Sequence, residues 1–281
     1  MKAKLCFILS MIIFGTIGIF VRQINMASSE IALLRGAIGS MFLLAVVFAT
    51  KQKISYESIK KNIGVLLLSG LALGANWMFF FQAYKNTTIA NATLSYYFAP
   101  VFVVILSPFV LKEKISMKKV LCIAISVLGM FLIIQSNQNI GAVYHHLRGI
   151  FYGIVAAAFY ATLTLANKFI RDMSDLETTI LQLLLAAGLL IPYVLATEGL
   201  HVPEISGVAV ICILLLGVLH TGVGFYLFFL GINGLKGQSI AALSYIDPIT
   251  SLLVSFFILG EHMTKVQILG AVLLLGSTFV E

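Results

Sequence analysis

An acidic residue interrupts one of the most apolar stretches of the chain. Residues 239–260 read SIAALSYIDPITSLLVSFFILG, with Asp247 eight positions after the start and Pro248 directly behind it. An ionised carboxylate near the middle of a membrane span is costly unless it faces water or a partner. A proline removes one backbone donor and permits a bend in a helix. At spacings of three and four, one helix face then carries a polar stripe: Ser244, Asp247, Ser251 and Ser255.

Asp247 and the adjacent Tyr245 allow two interpretations. In one, the carboxylate binds a substrate or carries a proton. In the other, it is a structural group held by hydrogen bonds to the bent helix or by an arginine. The polar stripe indicates a water-lined or packed interior face in either case, rather than a face toward lipid.

Basic side chains also lie in apolar runs. Arg35 follows Glu30 by about one turn and could pair with it. Its guanidinium suits a substrate carboxylate, and it could equally lock a helix packing. His220, in GVLHTGVGFY, could relay protons or serve as a packing residue. Arg22, at the end of the first apolar run, is expected to be an anchor at the outer interface.

A third apolar run supplies polar and aromatic side chains on two adjacent helix faces. Asn76 and Trp77 begin this series, and Tyr97 lies deep in the next run. Further aromatic residues accompany them: Phe80, Phe81, Tyr84, Tyr96 and Tyr160. Such rings can line a cavity for an aromatic, apolar or cationic guest. The alternative is that phenylalanines face lipid and tyrosines lie at the membrane interfaces.

The composition indicates an integral membrane protein. Of 281 residues, 60% are hydrophobic and only 10% are charged, and the mean hydropathy is +1.05. The net charge of +7 is therefore read as an orientation signal, and no nucleic-acid partner is predicted. Three widely spaced cysteines predict neither a disulfide framework nor a metal site. No P-loop, G-x-S-x-G or H-E-x-x-H motif occurs, so we expect no enzyme and no cofactor.

Hydropathy predicts ten membrane spans, the first of them an uncleaved N-terminal helix. They cover about 5–24, 30–50, 63–84, 92–111, 119–136, 149–170, 177–197, 207–232, 239–259 and 265–280. Thirteen of the eighteen basic residues then fall on one side, while NQNIGAVYHH and EGLHVPE on the other side contain no Lys or Arg. The positive-inside rule predicts a multi-pass protein of the cell membrane with both termini cytoplasmic.

The chain also carries an internal repeat. An offset of 148 residues superposes Gly74 on Gly222, Tyr97 on Tyr245, Pro100 on Pro248 and Glu113 on Glu261. Each half, 1–138 and 148–281, contains five spans, an odd number, so the second half must run through the membrane inverted. We therefore predict an all-α membrane protein of ten helices in two inverted five-helix repeats, an arrangement typical of secondary transporters.

With these motifs the chain resembles the drug/metabolite transporter superfamily in its EamA branch. The resemblance rests on Phe14-Gly15, on Arg35 in LLRGAIG, and on the Pro-x12-Glu pattern that begins at Pro100 and again at Pro248. It implies a ten-helix transporter built from two inverted halves, usually a bacterial exporter of small metabolites. The family most often has glutamate where this chain has Asp247, which keeps the charge on a shorter arm.

The leading hypothesis is a secondary transporter for small polar metabolites such as amino acids or amines, alternating around a midplane cavity. An organic-anion or nucleotide-sugar-like substrate is the alternative within transport. Outside transport, two hypotheses stay open: a membrane-embedded enzyme that uses Asp247 and His220, and a non-transporting receptor or scaffold. The expected partners are a small-molecule substrate, the lipid bilayer and protons as coupling ion; the oligomeric state is not predicted.

Overall fold

The computed structural model of the chain describes residues 2–51, 55–112, 116–136, 145–197, 206–232, 234–235 and 237–277, and no strand occurs within these ranges. Fourteen α-helices and one π-helical segment, π1, account for most of them. They are α1 Lys2–Gly15, α2 Ile17–Arg22, α3 Ser28–Ala49, α4 Tyr56–Asn86, α5 Ile89–Tyr96, α6 Ala99–Val110, α7 Met117–Ser136, α8 His146–Asn167, α9 Asp175–Thr197, α10 Gly207–Leu214, π1 Leu215–Val223, α11 Gly224–Ile232, α12 Gly237–Ser244, α13 Ile246–Phe257 and α14 Lys265–Ser277.

The predicted all-helical membrane fold is confirmed. Eight helical segments of the described chain are long and apolar enough to cross a membrane, and the shorter apolar helices α13 and α14 follow them. Each lies within or around one of the ten predicted spans. The third span begins earlier than hydropathy suggests, at Tyr56. The reason is a local cap, because the Ser55 hydroxyl accepts the backbone N–H of Ser58 at 3.3 Å.

Several spans are discontinuous. The first breaks at Thr16, between α1 and α2, and the fourth breaks at Tyr97 and Phe98, between α5 and α6. The ninth breaks at Tyr245, between α12 and α13. In the fourth and ninth spans, Pro100 and Pro248 follow the break and lack the N–H that would continue the hydrogen-bond ladder. These breaks place freed backbone groups inside the bundle, where protein groups or water must satisfy them.

Packing holds the broken spans against continuous ones. Helix α4 lies against α8 and α9, α3 contacts α9 and π1, and α1 contacts α11 and α13. Helix α5 lies against α8 and α13, while α7 pairs with α14. The larger apolar core includes Ile31, Phe81, Ile180 and Leu216, all fully buried. A second cluster joins α5, α7, α8 and α14 around Leu94, Ile133, Ile150 and Leu274.

Candidate functional site

Asp247 lies in the first turn of α13, immediately after the break in the ninth span. Its Oδ2 accepts a hydrogen bond of 2.8 Å from the hydroxyl of Tyr97, which lies at the break in the fourth span. Both side chains are half-buried, as is Tyr245. The two proline-containing breaks therefore meet at a carboxylate–phenol contact inside the bundle.

The predicted polar stripe faces protein along most of its length. Ser251 is buried, and its hydroxyl shares a hydrogen bond of 2.7 Å with that of Thr93 on α5. Ser255, also buried, donates to Glu261 at 2.5 Å. Ser244 instead donates to the carbonyl of Ile240 within α12, at 2.8 Å. Ser251 and Ser255 thus bond α13 to neighbouring protein groups. Asp247 is the acidic residue of the stripe, and its partner is Tyr97.

An aromatic group adjoins the Asp247 contact, made of Phe80, Tyr84, Tyr96, Tyr97 and Tyr160. The Phe80 ring stacks on Tyr96 at 4.2 Å between centroids and contacts Tyr84 at 4.4 Å. Tyr96 also meets the rings of Tyr160 at 5.5 Å and Tyr97 at 6.2 Å. Because ring faces attract cations, a carboxylate beside such a group suits an ammonium compound.

Arg35 is buried on α3, with an exposed fraction of 3%. Its Nε donates to the hydroxyl of Thr221 in π1 at 2.7 Å. Its guanidinium lies over Trp77 at 4.3 Å from the ring centroid and 5.6 Å from that of Phe81. The possible pairing with Glu30 is absent from the described residues; Glu30 accepts the backbone N–H of Ala27 at 2.8 Å as part of a helix cap.

The two remaining candidates on α4 therefore have different surroundings from the aromatic group. Trp77 is buried beneath Arg35. The amide of Asn76 is buried and donates to the carbonyl of Ala156 on α8 at 2.8 Å. We read Asn76 as a contact between helices and Trp77 as the wall behind the guanidinium.

His220 is fully buried in π1. Its Nδ1 lies 3.0 Å from the carbonyl of Leu215, five residues earlier, so Nδ1 carries the hydrogen because a carbonyl can only accept. Its Nε2 lies 3.0 Å from the hydroxyl of Thr16, at the break of the first span. Asp247 and His220 share no hydrogen bond, since each bonds to different groups.

Side chains of π1 bond to the backbone of its own wide turns. The Thr221 hydroxyl donates to the carbonyl of Leu216 at 2.9 Å, again five residues earlier. It therefore donates within the wide turn while it accepts from Arg35. The segment ties the first span, through Thr16, to the second, through Arg35.

Gly15 brings α1 against the site. A Cβ at this position would lie 2.6 Å from the carbonyl oxygen of Asp247 and 2.6 Å from Cβ of Thr250. Real Cβ atoms do not approach that closely, so only glycine allows α1 to pass the first turn of α13. The Phe14-Gly15 motif is a mark of the resemblance, and its contact with Asp247 could not be read from sequence.

A second cluster, which sequence reasoning did not assemble, lies where α2, α4 and α13 end. Arg22 forms an ion pair with Glu261 and donates to the carbonyls of Tyr84 at 3.1 Å and Thr87 at 2.5 Å. Glu261 also accepts the backbone N–H of Ile89 at 2.9 Å. Arg22 thus joins helices within the bundle, beyond the anchoring role expected from its position in the sequence. The signal that could have found this pair is the glutamate of the Pro-x12-Glu pattern.

The turn that presents Glu261 is itself specific. Gly260 ends the segment after α13 with φ of +65°, a conformation that side chains disfavour. The Glu261 N–H then donates to the carbonyl of Ser255 at 3.0 Å.

No group of three or more His, Cys, Asp or Glu side chains among the described residues could hold a metal ion.

Comparisons with known proteins extend across the whole chain. The profile of the EamA-like transporter family matches residues 1–135 and 147–280. The uncharacterized transporter YxxF of Bacillus subtilis is 30% identical over 270 residues, which cover 96% of this chain and 86% of that protein. An uncharacterized transporter of Archaeoglobus fulgidus is 27% identical over 276 residues, covering 97% and 93% of the two chains.

A further relative is an uncharacterized inner membrane transporter, YicL, of Salmonella typhimurium, which is 24% identical over 290 residues and covers 99% of this chain and 94% of its own. A crystal structure superposes with a TM-score of 0.68 at 18% identity, over 99% of this chain and 97% of the second chain, and supports the fold. Family profile, relatives and helical architecture agree, so the protein is a multi-pass membrane transporter and belongs to the EamA-like transporter family.

Proposed function

We propose that this chain is a secondary transporter that exports small ammonium-bearing metabolites, amino acids or amines, with Asp247 as their counter-ion. The observation that carries the proposal is the Asp247–Tyr97 contact, where two broken spans meet beside the aromatic group. The carboxylate has no cationic partner among the described residues, so an ammonium group would complete its charge balance. The aromatic rings supply cation–π faces for the same group.

The transport cycle follows from the predicted inverted repeats, residues 1–138 and 148–281. One repeat rocks against the other around a midplane cavity, which opens to each side in turn. Protons are the proposed coupling ion, and the basic residues favour both termini in the cytoplasm of a cell membrane. The family's transporter relatives favour transport over an enzyme or a receptor.

Counterflow in proteoliposomes tests the proposal. Purified protein is reconstituted and screened with amino acids, polyamines, quaternary ammonium compounds and organic anions. We expect an amino acid or amine to exchange, and Asp247→Asn to slow that exchange at least about tenfold because the counter-ion is lost. Glu57→Gln is the control, since Glu57 is an exposed carboxylate paired with Lys61 at 3.1 Å.

Two results would contradict the proposal. One is exchange restricted to organic anions. The other is unchanged amino-acid or amine exchange in an Asp247→Asn protein that elutes as a folded species. The second result would return Asp247 to a structural role.

A further inference from the structure

The two arginines that lie inside the bundle differ in how their guanidinium groups are used. Arg22 donates from Nε and from both terminal nitrogens, to two carbonyls and to the Glu261 carboxylate. Arg35 donates from Nε alone, to Thr221. Within the described residues, its Nη1 and Nη2 have no hydrogen-bond partner and no carboxylate forms an ion pair with it. All three nitrogens of Arg22 are engaged, whereas the two terminal nitrogens of Arg35 remain available.

The unused edge of Arg35 has a defined orientation. Thr221 holds the Nε edge, and the Thr221 hydroxyl is itself oriented because it donates to the Leu216 carbonyl. Trp77 covers one face of the guanidinium plane at 4.3 Å. The edge that remains presents two parallel N–H groups, the geometry that a carboxylate accepts in a bidentate pair.

A carboxylate ligand would offset the cost of this arrangement. An arginine that is 3% exposed inside a membrane protein and unpaired is strongly disfavoured, and cation–π contacts offset part of that cost. Asp247 is a negative charge in a similar position. It accepts one hydrogen bond, from Tyr97, and has no cationic partner among the described residues. The two charges do not neutralise each other directly.

The aromatic group links the two charges. Trp77 and Phe81 contact Arg35, and Phe80 on the same helix stacks on Tyr96, which adjoins Tyr97 and hence Asp247. Aromatic side chains of one helix, α4, therefore contact both Arg35 and the group of rings beside Asp247.

Resting on the proposed function, we propose that Arg35, oriented by Thr221 and Trp77, is a carboxylate subsite, and that the substrate is a zwitterion whose ammonium group binds Asp247. This assigns the substrate to amino acids and excludes simple amines and simple organic acids as preferred cargo. Each of those would neutralise one of the two charges and leave the other unpaired. A substrate that carries both charges neutralises the site in a single binding event.

The chain provides its own reporter for this subsite, because Trp77 is its single tryptophan and lies against the guanidinium. Emission from Trp77 is recorded on purified protein in micelles during titration with the proteinogenic amino acids other than tryptophan. For each one that binds, two analogues follow: the amine that lacks the carboxylate and the acid that lacks the ammonium group. We expect the amino acid to bind at least about 30-fold more tightly than either analogue.

Variants assign the preference to the residues. Arg35→Gln should abolish the preference over the amine while amine binding persists, and Asp247→Asn should abolish the preference over the acid. Arg35→Lys retains the positive charge but lacks the paired N–H donors of the guanidinium, so it should lose part of the preference for the amino acid over the amine. Arg148→Gln is the matched control: Arg148 also donates from Nε to a hydroxyl, that of Tyr152, and lies 5.6 Å from that ring, but it is exposed.

Several results would overturn the subsite: an amine that binds as tightly as its amino acid, a preference that survives Arg35→Gln, or no amino acid that binds. The ligand series on the unaltered protein decides the first and third even where a variant does not fold. If amines exchange in counterflow and bind as tightly as amino acids, the subsite is wrong and the proposed function stands. If neither class exchanges, both are wrong.

Discussion

At the scale of single residues, Gly15 allows α1 to pack closely against the first turn of α13, because glycine has no Cβ. Gly15→Ala would place a Cβ 2.6 Å from the Asp247 carbonyl and from Thr250 Cβ, so α1 or α13 must shift. We expect this variant to lose about 1–3 kcal/mol of stability against thermal unfolding, the usual cost of overpacking. The transport rate should fall with it, because the first turn of α13 carries Asp247.

Gly188→Ala is the matched control, since α9 offers no atom within 4 Å of a Cβ at that position. It should unfold at or slightly above the temperature of the unaltered protein, because alanine favours helix over glycine. Equal melting temperatures for the two variants would mean that α1 and α13 adjust without strain at Gly15.

Residue types and spacing predict part of this site. Asp247 stands out because a charge in an apolar run is rare, and Tyr97 because it superposes on Tyr245 in the repeat. Their direct contact could not be predicted, since it depends on how α5 meets α13. The sequence predicts that Trp77 and Tyr97 line a cavity; the structure places Trp77 against Arg35 and Tyr97 against Asp247, partners that the sequence does not specify. Hydropathy contains no information on which neighbouring helix a ring will face.

At the scale of elements, the membrane spans follow from hydropathy, and Pro248 predicts the bend in the ninth. The π1 segment could not be predicted, because its turns are satisfied by His220 and Thr221 bonding to carbonyls five residues earlier. The partners that stabilise those side chains, Thr16 and Arg35, belong to distant spans. Wide turns of this kind occur often at functional sites.

Thr221→Val tests that account of π1. Valine keeps the shape of threonine but removes the donor to Leu216 and the acceptor for Arg35 Nε. We expect a loss of about 1–3 kcal/mol of stability, because a buried charged donor is left unsatisfied. Amino-acid binding should weaken as well, since the guanidinium is no longer oriented.

Thr162→Val serves for comparison, because that hydroxyl makes an ordinary bond of 3.0 Å to the Ala158 carbonyl within α8. Its thermal unfolding should change by less than about 0.5 kcal/mol. If Thr221→Val also changed the free energy of unfolding by less than this amount, the side-chain bonds would be a consequence of π1 and not its cause.

At the scale of the whole molecule, Arg35 lies before the central connection and Asp247 after it, and neither forms an ion pair within the described part of the chain. The halves are also tied at the Arg22 end of the bundle, where the Arg22–Glu261 ion pair and the Ile89–Glu261 bond join them. Asn62 makes a comparable tie elsewhere, by bonding the backbone of Arg171 at 2.8 and 3.1 Å. Alternating access requires ties of this kind to break in turn.

Glu261→Gln tests whether the ion pair keeps the Arg22 end closed. The amide retains the shape of the carboxylate but leaves Arg22, which is largely buried, without its counter-charge. In a background with Cys6, Cys122 and Cys212 replaced by alanine, Ser244→Cys reports access to the site. We expect a membrane-impermeant maleimide, added from the Arg22 side, to label it about tenfold faster when Glu261 is neutralised, equivalent to ~1.4 kcal/mol of lost closure.

The same background with Glu57→Gln should label at the unaltered rate, because that exposed carboxylate does not join the two halves. The labelling rate is also measured with substrate present. An amino acid that binds Arg35 and Asp247 together should slow labelling in both proteins, because it competes with the maleimide for the site. Faster labelling that substrate suppresses would connect the ion pair to the site. Unchanged labelling in a folded Glu261→Gln protein would make the pair a static support, and closure at this end would then rest on the packing of α1, α5 and α13.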